Sequence, residues 1–378
     1  MIIHPPTIHE EQGGICVSAR VDIDRRGFDV PQEVWYRFPL DYADYVTDRI
    51  DGFLVGLLPS AMALGEKLIV KAPVSPRLAC GLRDYQRIQC TWWPDEFNLI
   101  EIDYEAFREP SWSVNKAVGS SFSGGVDSCH TLWQHLEPNE PLPAARITHC
   151  LMINGFDKDV DLNLTGDFQR IFDAYVPLMN DLNIKFLTVR NNLQLFRKAG
   201  IQSGRLAHSH AAPLAASALV LGNLWGRFYI PGARPFDCLV PDGAHPILDH
   251  LFSTEEVLFS HDGAQASRPQ KIEAISSWPE VLRHLRVCFR KPTFNSEGVI
   301  ENCCECKKCV DTMLALDLLG VLPHCVTFPH PLRRSKIWRT PIRPQLRREY
   351  LDLARRYGRK DRILDLKCSS LRSGLKSR

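Results

Sequence analysis

The sequence predicts an α/β fold: a parallel sheet wound with helices over residues 116–330, an α+β unit over 1–115 before it, and a basic helical tail over 331–378. Three observations carry that reading. From Asn115 onward strand-like runs alternate with helix-like ones, which implies βαβ units and a sheet covered on both faces. Residues 120–130, SSFSGGVDSCH, place two glycines among serines where a strand passes into a helix. At 378 residues, with 44% hydrophobic and 24% charged side chains, the chain is globular in composition and too long for most single cores, so two domains and a tail are expected.

The elements follow in order. ICVSARVDI and EVWYRFPL alternate and are rich in β-branched or aromatic residues, the pattern of strands. YADYVTDRIDGFLVGLL reads as a helix and EKLIVKAPV as a strand; PRLACGLRDYQRIQCTWW fits neither pattern cleanly, and PDEFNLIEIDYEAFREPSWSVNK gives a last strand and a linker. Then KAVGSSFS is a strand, GVDSCHTLWQHL a helix, ARITHCLMI a strand, TGDFQRIFDAYVPLMNDL a helix and IKFLTVR a strand. LAASALVLGNLW is a helix, RFYIPG and EVLFS are strands, RPQKIEAISS is a short helix, and LRVCF is strand-like.

The best candidate for an apolar span, GFLVGLLPSAMALG, is only about four turns of helix and carries Pro59, so no membrane span is expected. The N-terminus shows no basic region leading into an apolar stretch, and a cytoplasmic protein is expected. The net charge of +2 hides an asymmetry: residues 331–378 hold 16 Lys/Arg against four Asp/Glu. Such a tail can meet nucleic acid, an acidic partner or the acidic body itself. Leu346, Tyr350, Leu353 and Tyr357 at helical spacing favour a solvated or self-docked helix.

Two motifs carry chemistry. Ser123, Gly124, Gly125, Asp127 and Ser128, set between strand and helix, offer an anion unpaired backbone N–H groups, hydroxyls and the positive end of a helix dipole. This is neither the G-x-x-x-x-G-K-[ST] loop nor the G-x-G-x-x-G turn. Downstream, Cys303, Cys306 and Cys309 follow C-x2-C-x2-C, with Cys288 as a fourth thiol. Four thiolates suit a closed, structural Zn2+ site. An iron–sulfur cluster and a redox cysteine pair are the alternatives, and Cys304 is either a substitute for Cys303 or a free thiol.

SFSGGVDS resembles the signature of the PP-loop ATP pyrophosphatases, the adenine nucleotide α-hydrolase-like enzymes of HUP-like fold. The resemblance implies ATP and Mg2+ at Ser123, Gly124, Gly125, Asp127 and Ser128, with Asp127 and Ser128 serving catalysis. The later cysteine knuckle is similar to that of the 7-cyano-7-deazaguanine synthase family, whose CGxCxxC has Cys304 here in the glycine position. Ser267, Lys271 and Ile272 match that family's SKxEI segment. The resemblance covers roughly residues 116–325. It implies an ATP-dependent carbon–nitrogen ligase that adenylates a 7-carboxy-7-deazaguanine-like carboxylate, releases pyrophosphate, and passes the acyl group to ammonia. Since the first 115 residues lie outside the resemblance, they are expected to dock a different acceptor, such as a protein amine, in a specialised antiviral-defence member. A homodimer is expected.

Other candidates are weaker. His208 and His210 precede a helix, and His210 is the expected ATP neighbour. Asn154, with Asp157, follows the second strand where adenine or ribose is expected; Asp159 and Asp161 suit a solvated loop. Asp237, Asp242, Asp249 and Glu255 include a possible reader of a guanine-like base, although turns and caps explain them equally well. The rival readings are a sulfur-transferring PP-loop enzyme, which needs a reactive cysteine, and a non-catalytic nucleotide- or nucleic-acid-binding module.

Overall fold

A computed structural model describes the chain apart from residues 12, 25–29, 111–115, 155–164, 202, 289, 291 and 375–378. The N-terminal segment supplies β1 (Ile2–Ile3), β2 (Thr7–Glu11), β3 (Gly14–Asp22), β4 (Glu33–Pro39), α1 (Asp51–Leu64), β5 (Leu68–Val74), α2 (Pro76–Trp92) and β6 (Ile102–Phe107). The alternating half follows as β7 (Ala117–Ser121), α3 (Val126–Gln134), β8 (His149–Asn154), α4 (Thr165–Asp181), β9 (Lys185–Asn191), α5 (Leu193–Gly200) and α6 (Ala211–Val220). It continues through β10 (Trp225–Pro231), β11 (Leu258–Asp262), α7 (Arg268–Ile275), α8 (Pro279–His284) and α9 (Lys307–Leu318). The tail forms α10 (Arg334–Arg339), α11 (Pro344–Arg356) and α12 (Lys360–Gly374).

The chain is α/β, built on one large, mostly parallel sheet ordered β11-β10-β7-β8-β9-β4-β3-β1-β5-β6, with β2 also on β3. β11, β10, β7, β8 and β9 are mutually parallel. Alternation decides the faces: Leu151 of β8 joins the core that includes α1 and α6, while Cys150 and Met152 face the core of α3, α4 and α9.

The segment before residue 115 builds no sheet of its own. β4 pairs antiparallel with β9, Tyr36 opposite Asn191, so its strands continue the parallel block and cover that block's edge. The apolar run noted in the sequence is α1, buried on every side from Asp51 to Met62 against α6 and α5. Among the described residues no helix is long and apolar enough to cross a membrane.

Three sequence expectations change. The helix anticipated over 42–58 divides into a 3-10 turn at Leu40–Tyr45 and α1, because the Thr47 amide leaves the helix to donate to Val220 O at 2.9 Å. The ambiguous segment after Val74 is α2, fixed by Ser75, whose Oγ accepts from the Leu78 amide at 3.0 Å, and by Pro76 in the first turn. The strand anticipated at LRVCF joins no ladder over Leu285–Cys288; the Val287 and Cys288 amides donate instead to Asn302 Oδ1, at 2.9 and 3.1 Å.

The basic tail packs onto the body. Tyr350, Leu353, Ala354 and Leu366 are buried in the α3–α9 core. Arg356 pairs with Glu273 at 2.6 Å, and Arg362 with Asp317 at 2.7 Å.

Candidate functional site

β7 lies between β8 and β10: the chain leaves it through α3 to β8 on one side and later returns to β10 on the other. Such a reversal opens a crevice at the carboxyl ends of the strands. A cleft of about 270 Å³ lies there, and Ser123, Asp127, Ser128, Asn154 and His210 all line it. Gly124 and Gly125 form the turn beneath these residues.

The turn is held by its own hydroxyls. Ser128 Oγ accepts from the Ser123 amide at 3.2 Å and donates to Gly125 O at 3.1 Å. Gly124 has φ +72°, and a Cβ there would collide with Tyr175 Oη, so both backbone and space demand glycine. Gly125 caps α3 without a side chain, which leaves the first-turn N–H groups of α3 to an incoming acceptor. Burial opposes ionisation of Asp127, but Arg268 and Lys271, each 3.4 Å away, and Lys308 hold its carboxyl below the ordinary range. Lys271 is fully buried and also donates to Gly232 O. Of the SKxEI-like segment, it is therefore Lys271 that reaches the turn, while Ile272 packs in the core.

Phe122, Leu151, Ile171 and Leu214 give the cleft an apolar lining. Asn154 closes β8 with only 3% exposure, and its Oδ1 has no partner among the described residues. Asp157, Asp159 and Asp161 lie outside the described residues. His210 sits at the start of α6 with Nδ1 2.7 Å from Ala207 O. His208 turns away from the cleft and stacks on Trp93.

None of Asp237, Asp242, Asp249 and Glu255 lines the cleft. Asp242 holds Arg234 and the Gly243 amide, both at 2.8 Å. Asp249 is buried against His261 at 2.6 Å, and Glu255 takes Ser75 Oγ at 2.6 Å and the Arg77 amide at 2.8 Å. Asp237 accepts from Gln345 of the tail at 3.1 Å.

The Sγ atoms of Cys288, Cys303, Cys306 and Cys309 all lie within 4.8 Å of one another. Around zinc, sulfurs about 2.3 Å from the metal stand roughly 3.8 Å apart, so this donor set can hold a metal such as zinc. The Cys303–Cys309 separation is already 3.8 Å. Burial is outweighed at Cys303 by the Cys306 and Glu305 amides, which bring its thiol down to about 7. Cys304 stands outside the four: with φ +54° it directs its thiol to Asn302 O at 3.3 Å, and burial raises its pKa.

The cysteine cluster also serves the cleft. Arg286, two residues before Cys288, lines the cleft while its amide donates to Gly124 O at 2.9 Å. Lys308, between Cys306 and Cys309, lines it as well. Neither cation was singled out from the sequence, though the spelling CKKC places Lys308 inside the motif. Asp167, in the first turn of α4, is a further cleft carboxylate. The arrangement combines an apolar lining for a flat ring, N–H groups and cations for an anion, and two carboxylates for a divalent ion. Comparison with protein-family models, curated proteins and solved structures gives no match.

Proposed function

We propose that the cleft binds ATP and that the protein is a PP-loop-like ligase that activates a carboxylate, for which a 7-carboxy-7-deazaguanine-like compound is the expected substrate. The observation that carries ATP binding is the junction of two motifs at one crevice: the uncapped glycine turn after β7, and the cations Arg286 and Lys308 brought to it by the cysteine knuckle. The choice of deazaguanine rests on the resemblance of the two motifs and their order in the chain.

On this reading a carboxylate oxygen of the substrate attacks the α-phosphorus as the bond to the pyrophosphate oxygen breaks. Arg286, Lys308 and the α3 amides stabilise the departing negative charge. An amine then attacks the acyl carbon, AMP leaves, and the amine gives up a proton. Mg2+, held by Asp127 or Asp167 with phosphate oxygens, would supply further charge neutralisation. Zn2+ on the four cysteines would fix the knuckle, with no open position for chemistry. Ser128 shapes the turn, and Asn154 offers an unsatisfied acceptor to base or ribose. The acceptor is ammonia or an amine on a protein docked beside the N-terminal segment.

Sulfur transfer has less support, because Cys304 is buried and hydrogen-bonded. Nucleic-acid binding through the tail is weakened by its ion pairs to the body. Pyrophosphate release from ATP, with and without 7-carboxy-7-deazaguanine, tests the proposal, with mass spectrometry of the products. Release that depends on this carboxylate supports it. Release without such dependence removes the deazaguanine assignment, and the absence of ATP binding removes the whole reading.

A further inference from the structure

A second cavity, of about 180 Å³, lies where the end of α2 meets the turn before α6, lined by Trp92, Trp93, Asp95, Glu96, Arg205 and His208. The Glu96 side chain is only 6% exposed. Its Oε2 meets His208 Nδ1 at 2.7 Å and Arg205 Nε at 3.8 Å. Its Oε1 is buried and has no hydrogen-bond partner, and neither has the Trp93 indole N–H. His208 covers one face of Trp93, with ring centroids 3.6 Å apart. His208 O accepts from Gln89 Nε2 at 2.9 Å, and the same turn presents His208 to this pocket and His210 to the cleft.

A buried carboxylate oxygen without a donor carries its full desolvation cost until a ligand supplies one. The two carboxylates, Glu96 and Asp95, outnumber the one guanidinium, Arg205, so the pocket suits a cation. Indole rings favour cations, and the Trp93 N–H offers a hydrogen bond to a carbonyl beside the cation. At about 180 Å³ the pocket has room for an ammonium on a short alkyl chain. We propose that this pocket binds a primary ammonium group, carried by a lysine side chain or by the α-amine of a peptide. The chemistry of the pocket stands without the nucleotide reading; only its role in gathering the acceptor amine beside the cleft rests on that reading.

Calorimetric titration of the full chain, without nucleotide, tests this with n-butylammonium against n-butanol. Saturable binding of the amine in the millimolar range, with none of the alcohol, is expected. Glu96→Gln should weaken binding roughly tenfold. Asp95→Asn, at an exposed residue, should weaken it several-fold with an unchanged melting temperature, which keeps the test valid if Glu96→Gln fails to fold. Nα-acetyl-lysine amide and an alanyl peptide amide are the arms that separate side chain from α-amine. No amine binding below about 10 mM, equal binding of n-butanol, or undiminished affinity in every folded variant overturns the proposal. ATP-dependent pyrophosphate release is measured separately, so loss of the pocket and loss of the ligase reading give different results.

Discussion

Gly124 and Cys304 both hold left-handed backbone, at φ +72° and +54°, and they differ in what a side chain costs there. At Gly124 a methyl group would run into Tyr175 Oη, which is itself fixed by donating to His284 O at 2.5 Å. Gly124→Ala is therefore expected to abolish ATP binding in calorimetry and to destabilise the fold by roughly 1–3 kcal/mol. A variant that still binds ATP at wild-type affinity would show that the turn is not the anion site. At Cys304 the side chain is tolerated because its thiol finds Asn302 O. Cys304→Gly should keep the metal and melt close to the wild type, since relief of about 1–2 kcal/mol of backbone strain offsets the lost burial. Metal content and a thermal melt check it, and loss of metal would return Cys304 to the ligand set. The sequence showed a cysteine where the resembled family has glycine, but spacing alone left Cys303 and Cys304 interchangeable. Only the backbone hand turns one thiol toward the cluster and the other toward Asn302.

At the scale of elements, the Leu285–Cys288 strap joins the cysteine cluster to the glycine turn. Its amides are held at one end by Asn302 Oδ1 and at the other by Gly124 O. LRVCF reads as a strand because its residues alternate. A polar side chain 14 residues beyond Cys288 takes the place of the missing ladder, and no local pattern announces such a partner. With zinc on the four thiols, the strap and Lys308 are fixed relative to the turn. Chelation should lower ATP affinity at least about tenfold while circular dichroism still reports the β7–β11 sheet, one face of which packs in a core without the knuckle. Unchanged affinity in the demetallated protein would uncouple the two. Lys308→Met separates charge from fold: metal content should stay at the wild-type level while ATP affinity falls by roughly tenfold, the scale of one charge-assisted hydrogen bond. Most strands and helices of residues 116–275 were readable because parallel βαβ units repeat a buried strand and a covering helix; the short α5 was missed. α2 was obscure because its buried face, which runs through Leu78, Leu82 and Tyr85, turns polar at Gln86 and Gln89.

For the whole molecule, the change of character near residue 115 marks a change of strand pattern within one continuous sheet. The pairing of β4 with β9 depends on faces matched across roughly 150 residues, which no window of sequence displays. Physical continuity has a consequence for truncation. α1 is apolar on all sides and packs on α5 and α6, with Gly52 so close to α6 that a Cβ would lie 2.8 Å from Ala216 O. Arg108 bridges Asp51 and Glu256, at 3.1 and 2.6 Å, where both carboxylate side chains are at most 2% exposed. Removing residues 1–115 would strip α6 of its cover, bare the β9 edge, and take Arg49 and Arg108 away from Glu256. Breaking a buried pair at one partner costs about 3–5 kcal/mol, a large part of the roughly 5–15 kcal/mol that holds a domain together. A chain of residues 116–378 is therefore expected to be aggregation-prone and to show no cooperative melt, and Arg108→Met in the full chain to lower the denaturant midpoint sharply. The measurement is solubility and unfolding of the two variants beside the wild type. If residues 116–378 instead melt cooperatively and bind ATP, the N-terminal segment is an independent attachment to the sheet, and its coverage of the nucleotide half is dispensable.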